Sequence, residues 1–506
     1  MNSTNPMKRL FSNPLSALAA GLLLRLFFIF RLPADAGDSA LYETLGSNWL
    51  THGVYGMILR GRLAPVDLRP PGYPSFLALI YFLSGRSEVS ARLWVMLAQA
   101  GVDLLTCFLI ATLALHLIPQ AEGDAQRVKL RALWLAALCP FIANYTAVIL
   151  TEILATFWTA AALLFFVLQL RAAGDLMIFL PPSWGRFGSF VGNNFLEVLG
   201  ILGGLAVGIG TLIRPEAPIL LVSSALVLGM VMFRRGEMAR WLRAAVLMGL
   251  GCLLPLLPWA ARNALTLHEV QFLNPRYNEL PGEFVSRGFM AWESTWLDRY
   301  RYSYLVTFKL EEQPILLEDI PAYAFDTPEE KEKVYAVLAE YNRTTEYGPR
   351  EDAVFEQLAR ERTARRPLRT WVWIPLTRVF VLWFTPQTEL LPYGSTVFPL
   401  AEEWEENKES LMITLGLFFL NIFFLLLAAR GAARLWRSGS SGRAMVALLA
   451  AFVVLRTAVL TTVESPDPRY VILCYPLVLA LAAHSFQRDE ETEPDAIAVP
   501  AVLRTA

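Results

Sequence analysis

Ten apolar runs, most of them near the length a helix needs to cross a bilayer, dominate this sequence. They cover residues 13–32, 87–117, 131–148, 151–170, 196–213, 216–233, 241–261, 410–430, 444–463 and 470–486. A helix rises about 1.5 Å per residue, so about 20 mostly apolar residues cross a hydrocarbon core. No water is present there to satisfy a loose backbone, so such runs must be helical. Two shorter apolar stretches, 72–84 and 371–385, read as helices lying in the interface. Composition agrees with this. Of 506 residues, 55% are hydrophobic and 18% are charged, where a soluble domain carries about 25% charge. A soluble enzyme is disfavoured, and a disordered chain would be poorer in apolar residues. The net charge of −1 gives no basic excess, so no nucleic-acid partner is expected. The expected fold is an all-α polytopic membrane protein.

Basic residues near span ends mark the cytoplasm. They cluster at Lys8–Arg9, Arg127–Lys129–Arg131, Arg171, Arg234–Arg235–Arg240–Arg243 and Arg430–Arg434–Arg437–Arg443. With the N-terminus inside and ten spans, every cluster falls on one side, provided 72–84 and 371–385 do not cross. The first run is read as an uncleaved span, because Arg25 interrupts it and no small-residue cleavage site follows. The chain then divides into four parts. Residues 1–261 form an N-terminal transmembrane module with a first outer loop at 33–86. Residues 262–409 form an outer segment with the interfacial helix 371–385. Residues 410–486 are C-terminal spans, and 487–506 are a cytoplasmic tail, read as unstructured. Within the outer segment, 328–366 has helical periodicity and reads as one or two exposed helices. A bacterial inner membrane is the expected location, with the site facing the periplasm.

Cys107, Cys139, Cys252 and Cys474 lie far apart inside apolar stretches, as small core hydrophobes do. His52, His116, His268 and His484 have no metal-ligand spacing. There is no phosphate-binding Gly-x-x-x-x-Gly-Lys loop and no His-Glu-x-x-His. The informative stretch is the first outer loop. It holds Gly37, Asp38, Tyr42 and Glu43, and ends Arg69-Pro70-Pro71-Gly72-Tyr73-Pro74. Asp38 precedes an amphipathic helix. It is either an ordinary N-cap or a carboxylate held at the membrane surface as a general base. Other outer span ends repeat a charged theme: Arg92, Thr151-Glu152, Arg214-Pro215-Glu216, Arg262-Asn263, Arg456 and Asp467-Pro468-Arg469-Tyr470. A charge inside a membrane costs about 2.5–3.5 kcal/mol on insertion scales, so it is usually paired or functional. Each arginine alone reads as structural; together they suggest a site for an anion. Asp103, deeper in the second span, is expected to pair with Arg25.

The order of these motifs resembles the GT-C superfamily of membrane glycosyltransferases. More narrowly, it resembles the family 39-like group with the protein O-mannosyltransferases and the lipid A aminoarabinose transferase. The resemblance rests on Gly37-Asp38 with Tyr42, Arg69-Pro70-Pro71-Gly72-Tyr73-Pro74, Arg92, Pro140 with Thr151-Glu152, Leu212-Ile213-Arg214-Pro215, Pro258-Trp259 with Arg262-Asn263, and Arg469-Tyr470 with Pro476. It implies a GT-C-like bundle of about 10–13 transmembrane helices. It also implies transfer of a sugar from a polyprenyl-phosphate donor to a lipid, protein or glycan acceptor outside the membrane, with inversion. Asp38 would be the base, with Glu152, Glu43 or no residue at all as a second acid. Arg469, with Arg69, Arg214, Arg92, Tyr42 and Tyr470, would hold the lipid phosphate and sugar. Many relatives carry Asp-Glu where this chain has Asp38-Ser39. A divalent metal therefore stays open, since some members of the superfamily use one and others do not. Two other readings remain at this stage: an envelope transporter, and a non-catalytic assembly protein of GT-C-like shape. A transporter usually shows internal repeats, and none is evident.

Overall fold

The computed structural model describes residues 11–85, 88–117, 122–174, 194–277, 279–280, 283–385, 390–392, 400–463 and 465–486. The tail 487–506 and the pair Lys8–Arg9 lie outside the described residues. The chain opens with α1 (Pro14–Arg31), whose first turn is capped by Asn13; its side chain accepts from the Leu15 N–H at 3.0 Å. The loop that follows carries α2 (Ser39–His52), a hairpin of β1 (Gly56–Leu59) and β2 (Arg62–Pro65), and α3 (Gly72–Ser84). In the hairpin, Gly56 pairs with Pro65 and Leu59 with Arg62. Its two turn residues, Arg60 and Gly61, both have positive φ, the backbone a tight two-residue hairpin demands.

Next come α4 (Glu88–Leu117), α5 (Glu122–Ala137), α6 (Glu152–Ala173), α7 (Phe195–Thr211), α8 (Pro218–Arg235) and α9 (Met238–Thr266). The polar segment beyond them holds α10 (Pro328–Thr344), α11 (Pro349–Arg365) and α12 (Ile374–Phe384). The chain closes with α13 (Lys408–Arg437), α14 (Ser440–Leu460) and α15 (Tyr475–His484). Seven of these, α1, α4, α6, α8, α9, α13 and α14, are long and apolar enough to cross a membrane. The fold is all-α and polytopic, and the protein is an integral membrane protein.

Three expected spans differ from the sequence reading. The run 131–148 is not one helix. Pro140 has no N–H to donate and its ring would strike the preceding turn. So α5 ends at Ala137, and the chain resumes as a short turn, Pro140–Ala143, and a 3-10 turn, Asn144–Ala147. The run 196–213 gives α7, of only 17 residues. The run 470–486 starts as a 3-10 turn, Pro468–Cys474, before α15. The stretches 72–84 and 371–385 form helices of 13 and 11 residues, well under the ~20 needed to cross. A π turn, Arg369–Trp373, leads into α12, and Trp371, Trp373 and Phe380 stay exposed there. Aromatic side chains of this kind favour membrane interfaces.

Helices in lipid gain little from burying apolar surface against one another, so close backbone approach and internal polar bonds hold them together. The glycines of α7 supply the first. Gly204 and Gly208 face the backbone carbonyls of Met248 and Cys252 on α9, so closely that a Cβ at either would collide. Gly251 does the same in return against Ile201, at 2.6 Å. The second is supplied by Arg25, fully buried, which pairs with Asp103 at 2.7 Å. It also donates to the carbonyls of Gly21 at 2.9 Å and Ala137 at 2.5 Å. The partnership expected from sequence is present. Every residue of α15 is buried, making it a central pillar.

The segment between α9 and α13 has its own core, built on Phe289, Trp292, Trp296, Leu338 and Phe355. Residues 328–366 form two helices, and Thr327 caps the first by accepting from the Glu330 N–H at 3.2 Å. Arg378 of α12 ties this segment to the bundle. It donates to the carbonyls of Leu297, Thr461 and Val463, each at 2.9 Å.

Candidate active site

Asp38 stands at the N-cap position of α2, yet its side chain caps nothing. A capping side chain needs an extended backbone to fold back onto the helix, and Asp38 is already helical, at φ −73 and ψ −17. Its neighbour Ser39 anchors the turn instead. The Ser39 hydroxyl accepts from the Ala36 N–H at 3.2 Å and donates to the Ile149 carbonyl at 3.0 Å. The Asp38 carboxylate is left to point at arginines. Oδ1 lies 2.9 Å from Arg69 Nη2, and Oδ2 lies 3.4 Å from Arg469 Nη2.

Arg69 is held by its backbone. Tyr55 donates its hydroxyl to the Arg69 carbonyl at 2.8 Å. Arg262, from the end of α9, donates to the carbonyls of Tyr55 at 2.6 Å and Val66 at 2.9 Å. Its guanidinium also lies over the Trp259 and Tyr55 rings. Three residues on, the Gly72 N–H donates to the Leu212 carbonyl at 2.7 Å. A Cβ at Gly72 would stand 2.5 Å from that oxygen. The glycine therefore permits the contact that sets the first loop beside the turn carrying Arg214.

Arg214 donates to the Thr151 hydroxyl at 3.0 Å and forms a short ion pair with Glu152. It also lies 3.6 Å from Glu216. Arg469 pairs with Asp467 at 2.6 Å and reaches Glu152 at 3.8 Å. The Tyr470 ring lies beneath both guanidiniums, 5.1 Å from Arg214 and 5.5 Å from Arg469. Arg456, buried in α14, donates to the Tyr470 carbonyl at 3.0 Å and pairs with Glu216 at 3.2 Å. Four arginines and four carboxylates thus form one connected network at one end of the bundle. One oxygen of Glu152, Oε2, is buried there without a hydrogen bond. A narrow cleft between α6, α7, α8 and α14 runs from Arg214 and Arg456 past Ala155, Trp158, Gly210 and Leu220.

The network sets the charge of its members. Burial alone would raise the Asp38 carboxyl, but Arg69, and behind it Arg469 and Arg214, hold it below the usual carboxylate range. Tyr42 moves the other way. Burial, then the charge of Asp38, pushes its phenol up to about 12, so it stays a neutral donor. Its ring meets Tyr73 edge-on at 5.2 Å.

Of the residues singled out from sequence, Asp38, Tyr42, Arg69, Glu152, Arg214, Arg469 and Tyr470 come together. Glu43 and Arg92 do not join them. They pair with each other through both Glu43 oxygens, at 2.7 Å each, and Arg92 also reaches Asp35 at 2.9 Å. No described hydrogen bond or ion pair links this pair to Asp38. The sequence reading grouped Glu216, Arg456 and Asp467 with the other charges at outer span ends but did not name them as site residues or as partners. It missed Tyr300, which lies near enough to Asp467 to influence its charge while donating its hydroxyl to Tyr304 at 3.1 Å; nothing in the local sequence signals that approach. Among the described residues no three of His, Cys, Asp and Glu gather to hold a metal ion. The carboxylates of the network face guanidiniums, so these residues do not fit a divalent-metal centre as they stand.

No family model and no curated protein matches this sequence. Solved structures do match along most of its length. The oligosaccharyltransferase of Archaeoglobus fulgidus, in complex with zinc and sulfate, is 14% identical, with a TM-score of 0.44 over 92% of this chain and 48% of that one. The same organism's AglB, in complex with an inhibitory peptide and a dolichol-phosphate, is 13% identical, with a TM-score of 0.46 over 93% and 50%. ArnT from Cupriavidus metallidurans, bound to undecaprenyl phosphate, is 13% identical, with a TM-score of 0.38 over 93% and 77%. The chain spans about half the length of the archaeal enzyme.

Proposed function

We propose that this protein moves a sugar from a polyprenyl-phosphate carrier to an acceptor on the outer face of a bacterial cytoplasmic membrane. The acceptor is a lipid, protein or glycan. The observation that carries the reading is the freed carboxylate of Asp38. It stands where a cap would be, makes no cap, and faces arginines drawn from the first loop and the last span. An acid placed this way serves as a base beside a cationic seat for phosphate.

In the proposed step the acceptor hydroxyl gives its proton to Asp38 as its oxygen bonds the anomeric carbon. The bond from that carbon to the phosphate oxygen breaks on the opposite face, and the carrier leaves as polyprenyl phosphate. One displacement inverts the anomeric centre. Charge grows on the departing phosphate, and preorganised guanidiniums lower the barrier most where charge develops. Arg469 is the best placed, since it touches Asp38, Glu152 and Asp467 at once. Arg69 and Arg214 complete the seat. The incoming phosphate would compete with Asp38 for these cations, leaving its carboxylate freer to accept a proton. Tyr470 and Tyr42 wall the site as aromatic faces for the sugar. The outer segment 262–370, which brings Tyr300 near Asp467, would shape the choice of acceptor, in line with loops on a rigid scaffold carrying specificity.

The test is release of sugar from radiolabelled polyprenyl-phosphate donors in membranes carrying the protein. Losing a general base costs roughly 10²–10⁴-fold. Asp38→Asn should therefore lose activity on that scale at unchanged expression. Equal turnover in wild type and variant would remove Asp38 from the mechanism.

A further inference from the structure

The 3-10 turn before α15 does more than present Arg469. Asp467 stands at its N-cap with an extended backbone, at φ −70 and ψ 120, which lets a side chain fold back onto the turn. Asp467 therefore does what Asp38 does not. Its Oδ1 accepts from the Arg469 N–H at 3.0 Å, and its Oδ2 lies 2.6 Å from Arg469 Nε. One carboxylate grips both the backbone and the side chain of the residue two positions on. Pro468 stands between them, and its ring fixes the backbone angle that brings the two together.

Asp467 is buried, and the chain is held on both sides of it. Before it, Arg378 donates to the carbonyls of Thr461 and Val463, and the Ser465 hydroxyl donates to that of Ser303 at 2.9 Å. After it, Arg456 donates to the Tyr470 carbonyl at 3.0 Å. Burial raises the Asp467 carboxyl, and Arg469 is the charge that opposes this most, so the carboxylate depends on this partner for its charge. The distances rank the partners of Arg469. Asp467 is nearest at 2.6 Å, Asp38 stands at 3.4 Å and Glu152 at 3.8 Å. Attraction between charges grows as they approach, so Asp467 decides where the guanidinium rests. An arginine held this way has its ordering done before the reaction, which is what a preorganised site requires.

We infer that Asp467 is a positioning residue for the sugar transfer: it holds Arg469 at the phosphate seat and keeps it from closing on Asp38. The inference rests on the sugar-transfer reading. Without the charge of Asp467, Arg469 is left with Asp38 and Glu152 as its carboxylates and moves toward Asp38. That takes the guanidinium off the departing phosphate, where it is most effective, and ties up the base. Both changes lower kcat. Neither weakens binding of the carrier, because the site has lost a negative charge and an anion meets less repulsion there.

The test separates charge from capping. Asp467→Asn keeps an oxygen to accept the Arg469 N–H and removes the charge. Asp467→Ser does the same with a smaller side chain, since serine is also a good cap, and it carries the test if the Asn variant does not fold. Two quantities are measured on the full chain in one detergent: kcat for sugar transfer, and the Kd of undecaprenyl phosphate by microscale thermophoresis. Both variants should lose about ten- to a hundredfold in kcat, as a displaced group does, with a Kd no weaker than that of the wild type. A kcat near the wild-type value would overturn the inference. A fall in kcat matched by a weaker Kd would overturn it too, since that is the pattern of a damaged fold. Failure of the wild type itself to bind undecaprenyl phosphate or to transfer sugar would sink the sugar-transfer reading, and with it this one, before any variant is compared.

Discussion

Replacing Arg69 by Gln tests the coupling at the heart of the site. Arg69 Nη2 lies 2.9 Å from Asp38 Oδ1, and after burial it is the strongest influence on that carboxyl. Arg469 stays, but at a longer 3.4 Å from the other oxygen. An aspartate beside one arginine has its pKa lowered by about 1–3 units. With a second cation remaining, loss of Arg69 should raise the Asp38 carboxyl, because burial is then opposed only by the more distant Arg469 and Arg214; the charge-assisted hydrogen bond removed is of a kind worth about 1.5–3 kcal/mol. The direction follows from the charges. In the wild type the carboxyl lies below its ordinary 3.8, so the base is ionised across neutral and mildly acid pH. Activity falls only when the pH drops through that low value. Without Arg69 burial is less opposed, and the fall begins at higher pH.

The assay is kcat/KM for sugar transfer against pH, because its limbs report the groups of the free enzyme. Wild type should keep its activity as the pH falls toward the acid side, while the acid limb of Arg69→Gln should begin at a higher pH than that of the wild type. Arg69→Lys keeps a charge and should fall between them. The position of the limb carries the argument, since Arg69 is also placed at the phosphate and its loss lowers the whole curve. A lowered curve with its limb unmoved would refute the reasoning. Either Asp38 would not be the titrating base, or Arg69 would not be what holds its charge.

Further substitutions test the frame around the site. Gly72→Ala puts a Cβ 2.5 Å from the Leu212 carbonyl; it should cost about 1–3 kcal/mol of stability, as overpacking does, and lower turnover beyond the loss of folded protein in a melting assay. Asp103→Leu leaves Arg25 buried without its partner and should destabilise by about 3–5 kcal/mol, while Arg25→Met in the same chain should recover most of that, read as thermal midpoints in one detergent. Gly204→Leu should prevent α7 from docking on the Met248 carbonyl and should abolish recovery of monodisperse protein in size-exclusion chromatography, where Gly249→Leu, with open space around it, should not.

What the sequence disclosed and what it hid follow from the physics of the bilayer. Lipid demands long apolar helices, so α1, α4, α6, α8, α9, α13 and α14 are legible from composition alone. A proline inside a run is also legible, but its consequence is not. Pro140 ends one helix and starts a short turn, while Pro255 and Pro258 sit within an unbroken α9. The outcome depends on whether neighbouring groups can take up the backbone bond that proline leaves open. Depth is legible too, because a charge at a span end has a known height in the membrane. Rotation about the helix axis is not. Asp38 meets Arg469 across 431 residues, and Glu216 meets Arg456 across 240. Nothing local in either segment points to the other. Rotation is fixed by contacts such as those of Gly204 and Gly208 on α9, which allow one azimuth for α7 and hence one direction for the Arg214 turn at its end. The same ambiguity explains Glu43 and Arg92. On the sequence they belong to the same outer end of the spans as the network. One turn and a half of α2 separates Glu43 from Asp38, and that angle sends its carboxylate to Arg92. A sequence reading of such a protein can therefore gather the members of a site by depth, and it takes the packing of small residues to say which of them meet.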